Sequence, residues 1–230
     1  MQLYFLALLV MVVSLVIQFW LKATVSKWSK VSAGTRFTAN DAVRCMFREN
    51  DINNIEILAK GGSLTDCYSP NEGRIYLSEP VYNQNSVAAI AVAAHECGHA
   101  IQDKKGIAIY RFRQALAVPA GFCSQAGVYI AMVGLMLMGA GYLLGESVLN
   151  FGIIMYMVTF LFYVAMVPVE IDASRRGLKA IKENGFIAEE YIGGARSVLT
   201  AAGSTYVISM VSAGVTLLRL LAMRGNGRRR

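Results

Sequence analysis

Histidine is almost missing from this chain: of its 230 residues only two are histidine, His95 and His99. Charge is scarce as well, with Asp, Glu, Lys and Arg at 16% against about 25% in ordinary soluble domains. The four cysteines, Cys45, Cys67, Cys97 and Cys123, form no CxxC pair. That spacing argues against a structural zinc knuckle and a secreted disulfide framework, and suits a reducing compartment. With 55% hydrophobic residues, the shortage of charge points to a membrane protein. A formal net charge of +7 could suggest nucleic acid. Here, however, the basic residues crowd beside apolar runs, as in cytoplasmic loops of membrane proteins, and no nucleic-acid signature accompanies them. The expected partner is therefore the lipid bilayer, with no nucleic acid.

Long uncharged runs are what the chain has in their place. Residues 3–21 carry no charge and are long enough to cross about 30 Å of hydrocarbon. Without a basic leader or a small-residue cleavage site, and with Phe19, Trp20 and Lys22 forming an interfacial anchor, they read as a retained first membrane helix and not a signal peptide. Residues 22–115 read as the water-exposed catalytic segment. Within it Thr38 and Asp41 are placed as a capping box for a helix over 39–50. The runs 55–59 and 74–78 are expected to form a small antiparallel pair, and Asn85-Ser86 starts a helix over 86–104 that stops near Gly106. A second span is expected over 122–144, with 116–121 interfacial. Gly127, Ala131, Gly134, Gly141 and Gly145 there supply a small-residue packing face. A third span over 148–168 should end at Pro168, followed by a polar segment over 169–197. Residues 198–223 are a fourth apolar run containing Arg219. The whole is expected to be one membrane-embedded domain of mainly α (α+β) class, with a small β hairpin and three to four membrane helices.

Both histidines fall in one pattern, His95-Glu96-Cys97-Gly98-His99, in the middle of the helical stretch VAAIAVAAHECGHAIQ. Residues i and i+4 of a helix share a face, with Cβ atoms about 5–6 Å apart, so two imidazoles at that spacing can hold one tetrahedral zinc. Zinc lowers the pKa of water to about 7, and Glu96 is placed to take its proton as it attacks a carbonyl. The two-histidine count excludes a third imidazole, so a carboxylate must complete the site. Glu170, in MVPVEIDAS, is the leading candidate because it opens the polar segment after the third span. Asp172 is the alternative ligand, or else a residue that orients a histidine. One Zn2+ per chain is expected. The residue that stabilises the developing oxyanion is not singled out among Tyr68, Tyr110, Arg175 and Arg176.

The order of these pieces resembles the neutral zinc metallopeptidase family of bacterial membranes, the YugP-like family. The shared pieces are an N-terminal span, LTDCYSP, IYLSEPVYNQNSVAA, AVAAHECGHAIQ and VPVEIDAS, so the resemblance covers nearly the whole chain. It implies a zincin-like HExxH helix and a peptidase. Through the related membrane zinc proteases that act on prenylated or misfolded proteins, it also implies a glutamate ligand beyond a transmembrane hairpin, which favours Glu170. Two departures stand out: Cys67 and Ser69 where the family commonly has His and Asp, and Ser174 where the related proteases often have Asp.

The expected activity is a membrane-bound, zinc-dependent endopeptidase acting on membrane-associated peptide or protein substrates. RIYLS (74–78) is expected as the edge strand that pairs with an extended substrate. The alternative is a non-catalytic zinc-containing scaffold or quality-control partner. Lys and Arg near span ends predict a multi-pass protein with its active site facing the cytoplasm. Lys22, Lys27 and Lys30 follow the first span; Lys104, Lys105, Arg111 and Arg113 precede the second; Arg175, Arg176, Lys179 and Lys182 follow the third. Arg224 and Arg228 to Arg230 disagree with a fourth crossing, so an incomplete, re-entrant or interfacial last helix is expected.

Overall fold

The computed structural model describes residues 2–227, so the tail arginines Arg228 to Arg230 lie outside the described residues. In chain order the elements are α1 (Gln2–Trp28), α2 (Ala39–Glu49), β1 (Glu56–Lys60), β2 (Cys67–Ser69) and β3 (Arg74–Ser78). There follow α3 (Val87–Lys104), α4 (Ala108–Gly139), α5 (Gly145–Asn184), a 3-10 turn (Glu189–Tyr191) and α6 (Ile192–Gly227). The protein is mainly α with a small β part. The chain forms two compact units: residues 1–15, 108–168 and 206–230 make one, and residues 16–107 and 169–205 the other.

Among the described residues, four helices are long and apolar enough to cross a membrane: Leu3–Trp28, Ala108–Gly139, Gly145–Asn184 and Glu189–Gly225, with mean hydropathy from 1.6 to 2.4. In the first unit the apolar surface faces outward, as Phe5, Val118, Phe122 and Tyr129 illustrate, each more than half exposed. Helices with such faces need lipid around them. Gly127 and Gly152 let α4 and α5 approach backbone to backbone: a Cβ on Gly152 would stand 2.4 Å from the Ala131 nitrogen. The small-residue face over Gly127, Ala131 and Gly134 is thus a helix-packing surface. Gly141 and Gly145 serve the turn between the helices, and Gly141 adopts a φ of +81°.

Several boundaries differ from the sequence-based expectation, and two of them involve proline. Proline removes a single helical hydrogen bond, and a long apolar helix keeps the remaining ones because nothing in lipid competes for them. Pro119 and Pro168 therefore lie inside α4 and α5. Of the expected second span, 122–144, residues 122–139 belong to a helix that starts at Ala108 and ends at Gly139, while 140–144 form the turn before α5; the third does not stop at Pro168 but continues to Asn184. The last helix is unbroken over Ile192–Gly227, longer at both ends than the apolar run 198–223.

The second unit is built as a conventional core. Thr38 and Asp41 form the expected capping box: the Thr38 Oγ1 accepts from the Asp41 N–H, and the Asp41 carboxylate accepts from the Thr38 N–H at 2.9 Å. Val43, Met46 and Phe47 of α2 are buried in the same core as Ile75, Leu77, Ile90 and Ala94. Ser86 caps α3, its hydroxyl accepting from the Ala89 N–H at 3.2 Å, and Gly106 follows the helix with a φ of +61°.

The sheet corrects two expectations. Strands run in the order β1-β3-β2, with β1 parallel to β3 and β2 antiparallel to it. The pair 55–59 and 74–78 is therefore not an antiparallel hairpin. The short strand Cys67–Ser69, which carries too little apolar pattern to stand out, takes the hairpin place beside β3 and leaves β1 to pair on the far side. RIYLS is accordingly the central strand, with Ile75 and Leu77 fully buried, and not an edge.

Candidate metal centre

His95, Glu96 and His99 lie on α3, in a stretch where Ala88, Ala89, Ala91, Ala93, Ala94 and Ala100 are all buried. These small residues leave room for another helix, and the second half of α5 fills it. A Cβ on Gly98 would stand 2.5 Å from the Ala173 carbonyl oxygen, and one on Gly177 would stand 2.9 Å from the Ala94 carbonyl. Gly98 and Gly177 thus allow a near-contact of backbones that brings Glu170 over the two histidines. The glycine inside HECGH has this packing role, which the motif pattern alone does not reveal.

The three candidate ligands converge. The Glu170 Oε2 lies 3.1 Å from His95 Nε2 and 3.5 Å from His99 Nε2, and one ligand atom from each residue falls within 4.8 Å of the others. Ligands about 2.0–2.1 Å from a tetrahedral zinc stand about 3.3 Å from one another, so both glutamate–histidine distances suit a shared zinc ion, and the donor set has the chemistry of a zinc site. Glu170 is only 2% exposed. A buried carboxylate facing two imidazoles suits a divalent ion better than an ordinary ion pair. Because α5 is continuous, Glu170 sits in a helix interior and not at a helix start; its position follows from helix crossing.

Each histidine has a partner at its other ring nitrogen. Ser174 Oγ is 3.0 Å from His95 Nδ1, and Gln102 Oε1 is 2.9 Å from His99 Nδ1. Ser174, one turn after Glu170, therefore fills with a hydroxyl the position where the related proteases often carry a carboxylate. Asp172 is outside the ligand cluster. Its Oδ2 accepts from Gln102 Nε2 at 2.9 Å and from Arg176 Nε at 2.6 Å. The contribution of Gln102 was not anticipated: three residues beyond the second histidine, it carries no signal in a motif scan. A helical wheel placing positions i and i+3 together would have drawn attention to it.

Glu96 is buried, and burial pushes its carboxyl above the ordinary range, with the facing His95 and His99 pulling the other way. One oxygen, Oε2, accepts a hydrogen bond from the Tyr68 main-chain N–H at 2.9 Å, so strand β2 lies directly against the carboxylate. For His99, burial is the largest single influence and disfavours the charged form, but the hydrogen bond and negative charge of Glu170, joined by Glu96 and Gln102, together raise the pKa. Of the oxyanion candidates, the Tyr68 hydroxyl donates to Asp103 at 2.8 Å and Arg176 is engaged by Asp172. Arg175 is exposed, and Tyr110 belongs to the other compact unit. Cys67, in β2, has its thiol pKa raised by burial.

Comparisons with known proteins agree with this chemistry. The family described as "putative neutral zinc metallopeptidase" matches residues 3–225. A Bacillus subtilis (strain 168) protein described as "Putative membrane protease YugP" is 34% identical over 211 residues, covering 92% of this chain and 91% of that protein. No solved structure matches the chain. The match runs over almost the entire length of the sequence, and the chain belongs to the neutral zinc metallopeptidase family.

Proposed function

We propose that the protein is a membrane-bound zinc endopeptidase in which His95, His99 and Glu170 hold one zinc ion and Glu96 is the general base. The observation that carries this reading is the convergence of one glutamate oxygen on both motif histidines at 3.1 and 3.5 Å, across a helix crossing that two glycines make possible. Zinc held there would supply a Lewis acid that polarises the scissile carbonyl and lowers the pKa of water to about 7. Glu96, adjacent to the first histidine and held at Oε2 by the Tyr68 N–H, keeps its other oxygen for the attacking water. It takes the proton from that water as the C–O bond forms, and delivers it to the leaving amine as the peptide C–N bond breaks. The substrate is an extended peptide lying along the β2 edge, since β2 is an edge strand and its middle residue touches the base. RIYLS, being central, is not available for that pairing.

The decisive experiment is Glu96→Gln in detergent-purified protein. Turnover of a peptide substrate should fall by about 10²–10⁴-fold, the usual worth of a general base, with zinc content and thermal stability retained. A scaffold that keeps zinc for its fold would have no peptidase activity to lose. Should the variant hydrolyse peptides at the wild-type rate, the role of Glu96 is wrong.

The site faces the cytoplasm in this reading, because Lys and Arg cluster at Lys22 to Lys30, Lys104 to Arg113 and Arg175 to Lys182, the distribution that sets topology. The connection between α4 and α5 then lies outside, and a crossing α6 carries Arg224 outside with it. An impermeant thiol reagent applied to intact cells should label a single cysteine introduced at Ser147 and spare one at Lys27. The opposite pattern reverses the orientation.

A further inference from the structure

We infer that Gln102 is a positioning residue for the centre: a buried amide strut that holds His99 with its proton on Nδ1 and ties it to the helix carrying Glu170. The inference rests on the zinc-site reading above and extends it to a residue outside the ligand set.

Gln102 is wholly buried, so each of its polar atoms needs a partner. Its nitrogen lies 2.8 Å from the Val169 main-chain carbonyl oxygen and 2.9 Å from Asp172 Oδ2. A carbonyl oxygen can only accept, so the amide orientation is decided by chemistry: the NH2 group must face Val169 and Asp172, and both of its protons are used there. The oxygen is left facing His99 Nδ1 at 2.9 Å. An amide oxygen can only accept, so Nδ1 must carry a proton, and the lone pair available to a metal is on Nε2. That is the nitrogen 3.5 Å from Glu170.

The strut continues past Gln102. Asp172 accepts from both the amide and Arg176 Nε, which fixes the carboxylate that in turn fixes the amide. Val169 and Asp172 flank Glu170 on α5, so one side chain of α3 registers its own ligand, His99, against the third ligand of the other helix. His95 has a separate and simpler support in Ser174. The two imidazoles are therefore held independently, and loss of Gln102 should disturb only one of them.

The test uses the full-length protein in detergent with zinc alone as the probe. Removal of an outer partner of a ligating histidine usually lowers metal affinity about 10–100-fold, and Gln102→Met should do so in competition against a chelator. Asp172→Ala, which leaves the Val169 bond to the amide, should have a smaller effect. Because the chain has only two histidines, 15N-histidine NMR of the zinc-loaded protein resolves the centre residue by residue. In the wild type both rings should be ligated through Nε2, with the His99 Nδ1–H protected from exchange with water. In Gln102→Met that proton should exchange quickly while the His95 ring signals stay in place, a difference that loss of packing alone would not produce. Two results overturn the inference: zinc on Nδ1 of His99 in the wild type, or unaltered affinity and His99 signals in Gln102→Met. The wild-type spectrum decides the point even if the variant does not fold. If His95→Ala/His99→Ala binds zinc as the wild type does, the metal-site reading itself fails, which is a separate outcome.

Discussion

The two compact units use one packing device under opposite solvent rules. In the unit of residues 16–107 and 169–205, apolar side chains such as Ile75, Ile90 and Phe186 are buried, as in any water-soluble core. Gly98 and Gly177 there bring α3 and α5 together. In the unit of residues 1–15, 108–168 and 206–230 many of the largest apolar side chains point outward, yet Gly127, Gly134 and Gly152 bring α4 and α5 equally close. Burial of apolar surface drives the first contact. In hydrocarbon it drives nothing, because lipid tails are as apolar as the side chains, and the second contact relies on shape and dispersion. Close helix crossing therefore has a different purpose in each unit: in one it assembles a donor set, in the other it only holds a helical hairpin.

The largest effect that would sharpen this contrast concerns the carboxylates Glu170 and Asp172, in the unit of residues 16–107 and 169–205. Glu170→Gln removes the one anionic group beside a neutral pair of imidazoles and should weaken zinc binding far more than Asp172→Asn, whose cost should be about 10–100-fold at most. A chelator titration that ranks the two in the other order moves the ligand to Asp172. Next come the glycines. Gly98→Ala and Gly134→Ala each force a methyl group into a neighbouring backbone, at 2.5 Å from the Ala173 oxygen and 2.3 Å from the Leu149 nitrogen. Each should cost about 1–3 kcal/mol, the usual penalty for overpacking. Only Gly98→Ala should also lower zinc affinity, because only that crossing carries ligands. Equal loss of zinc in both variants would show that the units are not separable in this way.

The smallest effect tests the water-exposed character of α2. Thr38→Ala removes a side-chain cap and should cost about 1 kcal/mol in thermal or denaturant unfolding. The hydrogen bonds from the Thr38 backbone and side chain hold the Asp41 pKa below its ordinary value of 3.8. A lowered folded-state pKa contributes stability that is complete above the unfolded value and is lost as pH falls through the folded one. The difference between Thr38→Ala and wild type should therefore narrow below about pH 4. A constant difference down to pH 3 would show that the Asp41 carboxylate takes no part in the cap.

Much of this was legible in the residues because it depends on short sequence intervals. The caps at Thr38 and Ser86, the helix over the HECGH motif and the small-residue face of α4 follow from spacing of a few residues, which local backbone geometry translates directly into contact. The tolerance of Pro119 and Pro168 was not legible in the same way. Whether a proline breaks a helix depends on what competes for the freed carbonyl, and composition does not say at which residue lipid gives way to water. The strand order was hidden for a related reason: Cys67–Ser69 is too short for a pattern, so its pairing with Arg74–Ser78 is decided by the sheet.

The sequence by itself determined that the protein lives with a membrane, and that a metal centre can draw on no imidazoles but those of His95 and His99. Composition and the count of two histidines are enough for those conclusions, since no fold can supply a ligand type that the chain lacks. Only the tertiary structure decided which carboxylate meets them, and that Gln102 and Ser174 stand behind the rings. Glu170 and His95 are 75 residues apart in the chain. The distance between them is set by a crossing of two helices whose closeness depends on the absence of a Cβ at Gly98 and Gly177, and such a contact has no local signature.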